Sequence, residues 1–103
     1  MFEVRETETY AKWFDGLRDA QARARILVRV KRLALGNPGD VEPVGDGVSE
    51  MRIHSGPGYR VYFVRWGTTI IVLLGGGDKG TQKSDVAAAK SLARKLKEKP
   101  YGQ

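Results

Sequence analysis

Residues 59–74 constrain the fold most, because they form two β-type runs separated by a glycine turn. Tyr59–Trp66 contains four aromatic residues among β-branched ones, and residues 69–74 are continuously apolar or β-branched. Gly67 and Thr68 between them fit a two-residue hairpin turn with glycine in the first position. The second run is typical of a central strand, so we expect this hairpin to form the middle of a sheet.

The residues before this hairpin predict a short first strand followed by two helices. Residues 2–6 alternate apolar and polar side chains, as a strand does. Thr7 or Thr9 can cap a first helix, and Asp19 can cap a second one over residues 20–35. The apolar stripe expected on this second helix, widened by Ile26 and Val30, follows a 3.6-residue period through Ala24, Leu27, Val28, Lys31 and Leu35.

The remaining segments complete an α+β pattern. Residues 39–47 read as a polar, acidic loop, and residues 48–54 return to strand alternation. Thr81 or Ser84 can cap a last helix that runs to about Lys97. The order is a strand, two helices, a three-stranded antiparallel meander and a C-terminal helix. It predicts one α+β domain over residues 1–103, with helices covering one face of a mostly antiparallel sheet.

Composition excludes several kinds of site. The chain of 103 residues has no cysteine and one histidine, so disulfide scaffolds, thiolate zinc sites and cysteine nucleophiles are absent, and we expect neither a metal nor a cofactor. No apolar run approaches the roughly 20 residues that span a bilayer, so we expect a cytoplasmic protein without a membrane partner.

The formal net charge of +6 indicates a polyanion or an acidic protein as partner. The cations are concentrated in two blocks. Residues 18–32 contain six basic side chains against the single acid Asp19, and residues 83–99 contain six against Asp85 and Glu98. A charge run of this kind is also typical of a solvated helix face, so both interpretations remain open.

Side-chain parity predicts where the polar groups of the sheet converge. Pairing Ile53 with Val61 and Met51 with Phe63 keeps apolar residues together on the helix-covered face. The two-residue turn would place Val72 and Leu74 on that face and would pair Arg60 with Gly75. The residues then expected to share the opposite, helix-free surface are Arg52, His54, Arg60, Tyr62, Gly77 and Lys79.

Fixed cations, an imidazole and a phenol around a glycine floor suit an RNA phosphate. RNA cleavage by its own 2′-hydroxyl requires a base, an acid and positive charge on the transition state. His54 is the candidate acid or base, and Arg60 the candidate clamp on the transition state. In the simpler alternative, His54 is a spectator, Tyr62 covers the sheet and the glycines only connect a strand to a helix.

Two motifs carry a resemblance to a known family: R-I-H-S-G-P-G-Y-R-V-Y-F over residues 52–63, and I-I-V-L-L-G-G-G-D-K-G-T-Q over residues 70–82. With the Ala- and Lys-rich last helix, they resemble the addiction-module killer proteins of the phage-derived Gp49-like group, HigB-like toxins of the RelE/ParE superfamily. The similarity covers nearly the whole chain.

The resemblance implies the toxin of a type II toxin–antitoxin system, a metal-independent endoribonuclease that cleaves mRNA on the ribosome. By motif position it implies catalytic roles for Arg60 and Lys79 and a basic contact at Arg52, and it leaves His54 as the acid or base. RNA contacts are further expected at Tyr62, Gly77 and Lys83. The implied protein partner is a HigA-type helix-turn-helix antitoxin. Two alternatives stay open: a ParE-type toxin that acts on DNA gyrase, and a degenerate member that only binds its antitoxin.

Overall fold

A computed structural model describes residues 1–98 of the chain. One five-stranded sheet and three α-helices make up the fold, and the predicted α+β class is confirmed. In chain order the elements are β1 (Glu3–Glu6), α1 (Glu8–Asp15), α2 (Ala20–Ala34), β2 (Val41–Gly45), β3 (Val48–Ile53), β4 (Tyr59–Trp66), β5 (Ile70–Gly77), a 3₁₀ turn (Lys79–Thr81) and α3 (Gln82–Glu98).

The strands lie in the order β1-β5-β4-β3-β2. Strands β2 to β5 form an antiparallel meander, and β1 pairs in parallel with β5. None of the helices within residues 1–98 combines the length and the apolar character that crossing a bilayer requires.

Polar caps begin the helices close to the predicted positions. The Thr7 hydroxyl accepts a hydrogen bond from the Tyr10 N–H, and the Asp19 carboxylate accepts one from the Ala22 N–H. Both satisfy backbone donors that a helix start leaves without partners. The last helix differs from the prediction, because Asp78 caps a 3₁₀ turn that runs directly into α3 at Gln82.

The loop predicted over residues 39–47 is wrong in its middle part, where β2 forms the edge of the sheet. Val41 lies opposite Met51, and Glu42 lies opposite Glu50. An edge strand tolerates Pro43 and outward carboxylates, because only one of its sides has to pair. Because proline and acidic residues are also typical of loops, the sequence of β2 does not show a strand pattern.

The predicted register of β3 and β4 is displaced by two residues, since Met51 lies opposite Val61 and Arg52 lies opposite Arg60. An even displacement keeps every side chain on its predicted face. The hairpin between β4 and β5 differs more. Trp66 pairs with Ile70, so the loop has three residues, and Gly67 adopts a positive φ of 59°.

The three-residue loop moves β5 by one residue relative to the predicted register and so changes which face each of its side chains occupies. Phe63 pairs with Leu73, so Leu73 and Ile71 join the face that packs on α1 and α2. Val72 and Leu74 were predicted for that face and instead contribute to the core on the side of α3. A single extra residue in the loop has this effect because side chains alternate between the two faces with a period of two.

Helices cover both faces of the sheet, which corrects the prediction of one open face. The core on the side of α1 and α2 contains Tyr10, Ile26, Leu33, Met51, Ile53, Val61, Phe63, Ile71 and Leu73. The core on the side of α3 contains Val48, Tyr62, Val64, Val72, Leu74, Ala89 and Ala93. The continuous apolar run of β5 is therefore that of a strand buried on both sides.

Helix α2 buries the two residues predicted to widen its apolar stripe, Ile26 and Val30, and leaves the rest of that stripe exposed. Ala22, Ile26 and Leu33 are its buried residues, with Val30 partly buried beside them, and we call these four the inner stripe. The predicted stripe of Ala24, Leu27, Val28, Lys31 and Leu35 is exposed, and we call it the outer stripe. Both sets follow helical spacing, so periodicity alone does not select the buried one.

Candidate functional site

Glu50 lies at the centre of the polar groups on the side of the sheet that faces α3. Its side chain is 1% exposed. The carboxylate accepts hydrogen bonds from the Tyr62 hydroxyl at 3.2 Å and from Gln82 Nε2 at 2.9 Å. A buried carboxylate requires such partners, because burial removes its hydration. The buried carboxylate of Glu50 on β3 thus contacts both β4, through Tyr62, and the first residue of α3, Gln82.

Two arginines from adjacent strands share this carboxylate. Arg52 Nε donates to Glu50 Oε1 at 3.3 Å, and Arg60 Nε lies 3.5 Å from the same oxygen. Arg60 Nε is buried and makes no hydrogen bond within residues 1–98. The Arg60 side chain is 13% exposed, and its Nη1 donates to the carbonyl oxygen of Gly58 at 2.9 Å. Glu50 therefore offsets the repulsion between two guanidinium groups that the strand register places opposite each other.

A second carboxylate, Asp40, joins Arg52 to the histidine. Arg52 Nη1 lies 3.8 Å from Asp40 Oδ1, and His54 Nε2 lies 2.7 Å from Asp40 Oδ2. His54, Asp40, Arg52, Glu50 and Arg60 thus form a continuous series of charge contacts, which we call the charged row. Glu42 also pairs with Arg52 at 2.5 Å, and its negative charge is the main reason that the pKa of Arg52 is raised.

Tyr62 lies in the core beneath α3 and not on an open surface. It is fully buried, and its hydroxyl donates to Glu50. Burial, followed by the negative charge of Glu50, raises the pKa of Tyr62. The phenol is therefore a protonated donor at neutral pH, and α3 separates its ring from any base in solution.

The glycines at the end of β5 allow close packing instead of forming an open floor. A Cβ on Gly76 would overlap the Trp13 ring of α1, and a Cβ on Gly77 would overlap the carboxylate of Asp85 on α3. Only glycine admits these two approaches. The predicted phosphate floor at Gly77 is wrong, because Asp85 occupies the space above it.

Lys79 and Lys83 remain exposed, and only Lys79 lies beside a member of the charged row. The backbone N–H of Lys79 donates to the Pro57 carbonyl oxygen at 3.3 Å, which holds the 3₁₀ turn against the turn between β3 and β4. A Cβ built on Gly58 would lie 3.5 Å from both Arg60 Nη1 and Lys79 Cβ. Arg60 and Lys79 therefore border one small surface around Gly58, but β5 ends at Gly77, so the 3₁₀ turn and not strand parity places Lys79 there.

The sequence predicted the cations of this site but not the carboxylates that pair with them. Glu50 alternates with Arg52 along β3, so strand parity alone places both on one face. Asp40 and Glu42 lay in a segment that we predicted to be a loop. Within the described part of the chain, no group of three or more His, Asp or Glu side chains is arranged to hold a metal ion.

Comparison with known proteins identifies the family. Residues 12–98 match the family described as "Phage derived protein Gp49-like (DUF891)". A protein of Haemophilus influenzae, described as uncharacterized, is 44% identical over 94 residues, which cover 91% of this chain and 95% of that protein. The match includes the charged row and the glycine-rich end of β5, and the chain therefore belongs to the Gp49-like family of phage-derived proteins.

Proposed function

We propose that this chain is the toxin of a type II toxin–antitoxin system and cleaves mRNA on the ribosome. Membership of the Gp49-like family supports a toxin–antitoxin role. The observation that carries the nuclease proposal is the convergence of Arg60 and Lys79 around Gly58, at one end of a charged row that has His54 at the other.

Arg60 is the group we assign to the scissile phosphate. Glu50 and the Gly58 carbonyl fix its guanidinium, so little side-chain entropy remains to be lost when it binds a phosphate oxygen. Lys79 supplies a second, mobile charge beside it. Arg52 contacts Asp40, Glu42 and Glu50, so its charge is already offset, and we assign it to positioning the row and not to binding phosphate.

His54 is the group we assign to one of the two proton transfers. Its imidazole is exposed, and the hydrogen bond to Asp40 orients the ring. In the proposed reaction the RNA 2′-oxygen loses its proton to a base and attacks phosphorus. The bond from phosphorus to the 5′-oxygen breaks, and an acid protonates the leaving oxygen. The products are a 2′,3′-cyclic phosphate and a free 5′-hydroxyl.

The proposed protein partner is a helix-turn-helix antitoxin of the HigA type, as the family resemblance implies. The net charge of +6 is compatible with both proposed partners, because ribosomal RNA and an acidic protein each complement a basic surface.

The test is to incubate the purified chain with ribosomes programmed with a defined mRNA and to map new 5′ ends by primer extension. Arg60→Ala is expected to lower cleavage by at least about 100-fold, the size of effect seen when a transition-state donor is removed. Arg94→Ala is the matched control. Arg94 lies on α3, outside the charged row, and forms an exposed ion pair with Asp46. It should cleave as the wild type does.

An intact mRNA in the presence of the wild-type chain would refute the nuclease proposal. Inhibition of DNA supercoiling by gyrase, without RNA cleavage, would replace it with the ParE-type activity. A folded Arg60→Ala variant that still cleaves would remove Arg60 from the mechanism. Circular dichroism and thermal unfolding of each variant show that the fold is retained.

A further inference from the structure

The outer stripe of α2 is an apolar surface that the fold does not use. Leu27, Val28 and Leu35 are 56%, 48% and 56% exposed, and Ala24 and Lys31 lie between them along the helix. At about 100° per residue, this stripe lies on the side of the helix opposite to the inner stripe. The core therefore gives no reason for its aliphatic side chains.

Cations border and interrupt the outer stripe. Helix α2 contains five basic side chains and no acidic one, as its sequence AQARARILVRVKRLA shows. Arg29 is held by the carbonyl oxygens of Arg52 and Pro38, and Arg25 donates to the carbonyl oxygen of His54. The side chains of Lys31 and Arg32 are exposed and form no hydrogen bond or ion pair within residues 1–98, so their charges face solvent beside the aliphatic groups.

An open groove of about 420 Å³ runs along this helix next to the stripe. Its lining includes Ala24 and Val28 from the outer stripe, together with Arg25, Arg29 and Arg32. An inserted side chain would meet aliphatic walls and three guanidinium groups, and a carboxylate on a short aliphatic stem matches that combination.

We propose that the outer stripe binds an α-helix of a partner protein that carries an aliphatic stripe flanked by aspartate and glutamate. Charge complementarity selects an acidic helix over a second copy of this chain, because two α2 helices would bring cations against cations. The aliphatic groups select protein over RNA, whose bases stack on aromatic or guanidinium planes. Helices that lie on membranes carry Trp, Phe and Leu on their apolar face, and the outer stripe has leucine but no aromatic anchor.

The antitoxin is the protein expected to supply the acidic helix, and in this respect the proposed surface rests on the proposed function. His54 of the charged row also lines the groove beside the stripe, so this surface borders the proposed cleavage site. None of the outer-stripe residues belongs to the charged row, so binding and cleavage can be measured separately on the same variants.

The experiment is a titration of the isotope-labelled full chain, followed by NMR, with a synthetic 18-residue helix of leucine and glutamate in amphipathic order. We expect saturable shifts concentrated on α2. Leu27→Ser with Val28→Ser should weaken binding by at least about tenfold, because most of the buried aliphatic area is lost. Ala87→Ser with Ala88→Ser, on the exposed surface of α3, is the matched control and should bind as the wild type does.

A charge exchange tests the electrostatic part. Lys31→Glu with Arg32→Glu should lose affinity for the glutamate peptide and gain affinity for the same peptide with lysine at every glutamate position. These exposed substitutions leave the inner stripe intact, and thermal unfolding of each variant checks that the fold is retained.

Four outcomes would overturn the proposal. They are no shifts at millimolar peptide, shifts centred outside α2, equal binding of the lysine peptide to the wild-type chain, and unchanged affinity in the Leu27→Ser and Val28→Ser variant. Loss of binding to an RNA oligonucleotide or to anionic vesicles in that variant, with peptide binding retained, would reassign the surface. Cleavage of mRNA by the same variant reports on the proposed function alone, so the two failures are distinguishable.

Discussion

The two faces of the sheet are covered by helices in different ways. The face under α1 and α2 is apolar, with residues such as Tyr10, Ile26 and Met51 in contact. The face under α3 is divided. Small and branched apolar residues pack near the middle of α3, whereas its first turn lies over Glu50, which Tyr62 and Gln82 contact.

This difference separates stability from the candidate chemistry. Apolar packing on the first face tolerates small shifts and requires no particular partner for each group. The charged end of the second face requires every partner, because a buried charge without one is strongly unfavourable. The α1 and α2 face therefore holds the sheet together, and the α3 face holds Arg60 in place, at a cost in desolvation.

The largest expected effect tests the polar contacts on the α3 face of the sheet. Glu50→Ala should lower the free energy of unfolding by about 3 to 5 kcal/mol, because it leaves the Tyr62 hydroxyl and two guanidinium groups without their shared acceptor. Glu42→Ala removes an exposed carboxylate from the same Arg52 and should cost at most about 1 kcal/mol. Urea unfolding measures both. Equal losses would show that the buried charge does not hold the α3 face.

A slightly smaller effect tests the apolar side, on α2. Ile26→Ala should cost about 3 kcal/mol, because it removes a fully buried side chain from the inner stripe. Its neighbour Leu27 is the matched control, and Leu27→Ala should change stability by no more than about 0.5 kcal/mol. The reverse order of these two values would mean that the helix buries its outer stripe. Thermal and urea unfolding compare the two variants directly.

The smallest effect concerns Tyr62, which lies between the apolar and the charged parts of the α3 face. Tyr62→Phe should cost about 1 kcal/mol at neutral pH, through the lost hydrogen bond to Glu50. The raised pKa of the folded-state phenol means that Tyr62 contributes stability below pH 10, its ordinary value, and that this contribution is lost as pH rises further.

Stability of the wild-type chain should accordingly fall as the pH rises above 10, and it should fall less steeply in Tyr62→Phe. Tyr10, whose pKa burial also raises, supplies the remaining slope in the variant. Urea unfolding at neutral pH and at about pH 11 provides the measurement. Parallel slopes in the two proteins would show that the Tyr62 phenol titrates in the folded state as it does in the unfolded chain.

Local signals in the sequence were sufficient for most of the elements. The caps at Thr7 and Asp19 and the apolar runs of β4 and β5 are short-range patterns, and they predicted the helices and the central hairpin. The edge strand β2 was not predictable in this way, because Pro43 and the surrounding acids resemble a loop until β3 pairs with them.

The prediction of the site was limited by contacts between residues that are far apart in the sequence. Parity placed Arg52, Arg60 and Tyr62 on one face correctly, but the sequence contains no local signal that α3 returns across that face. The bulge after Tyr62 likewise depends on the pairing partner. The accessible surface therefore differed from the predicted one, because α3 covers Tyr62 and Gly77, although Arg52, Arg60 and Tyr62 do share one face of the sheet.

The parallel pairing of β1 with β5 has a consequence for synthesis of the chain. Glu3 lies opposite Ile70, so the first strand has no partner until β5 has left the ribosome. The contact between Gln82 and Glu50 forms later still. Such distant contacts delay folding until β5 and the start of α3 have been synthesised. A ribosome making this chain would thus have released every strand of the sheet before the polypeptide acquired the arrangement that we propose acts on ribosomes.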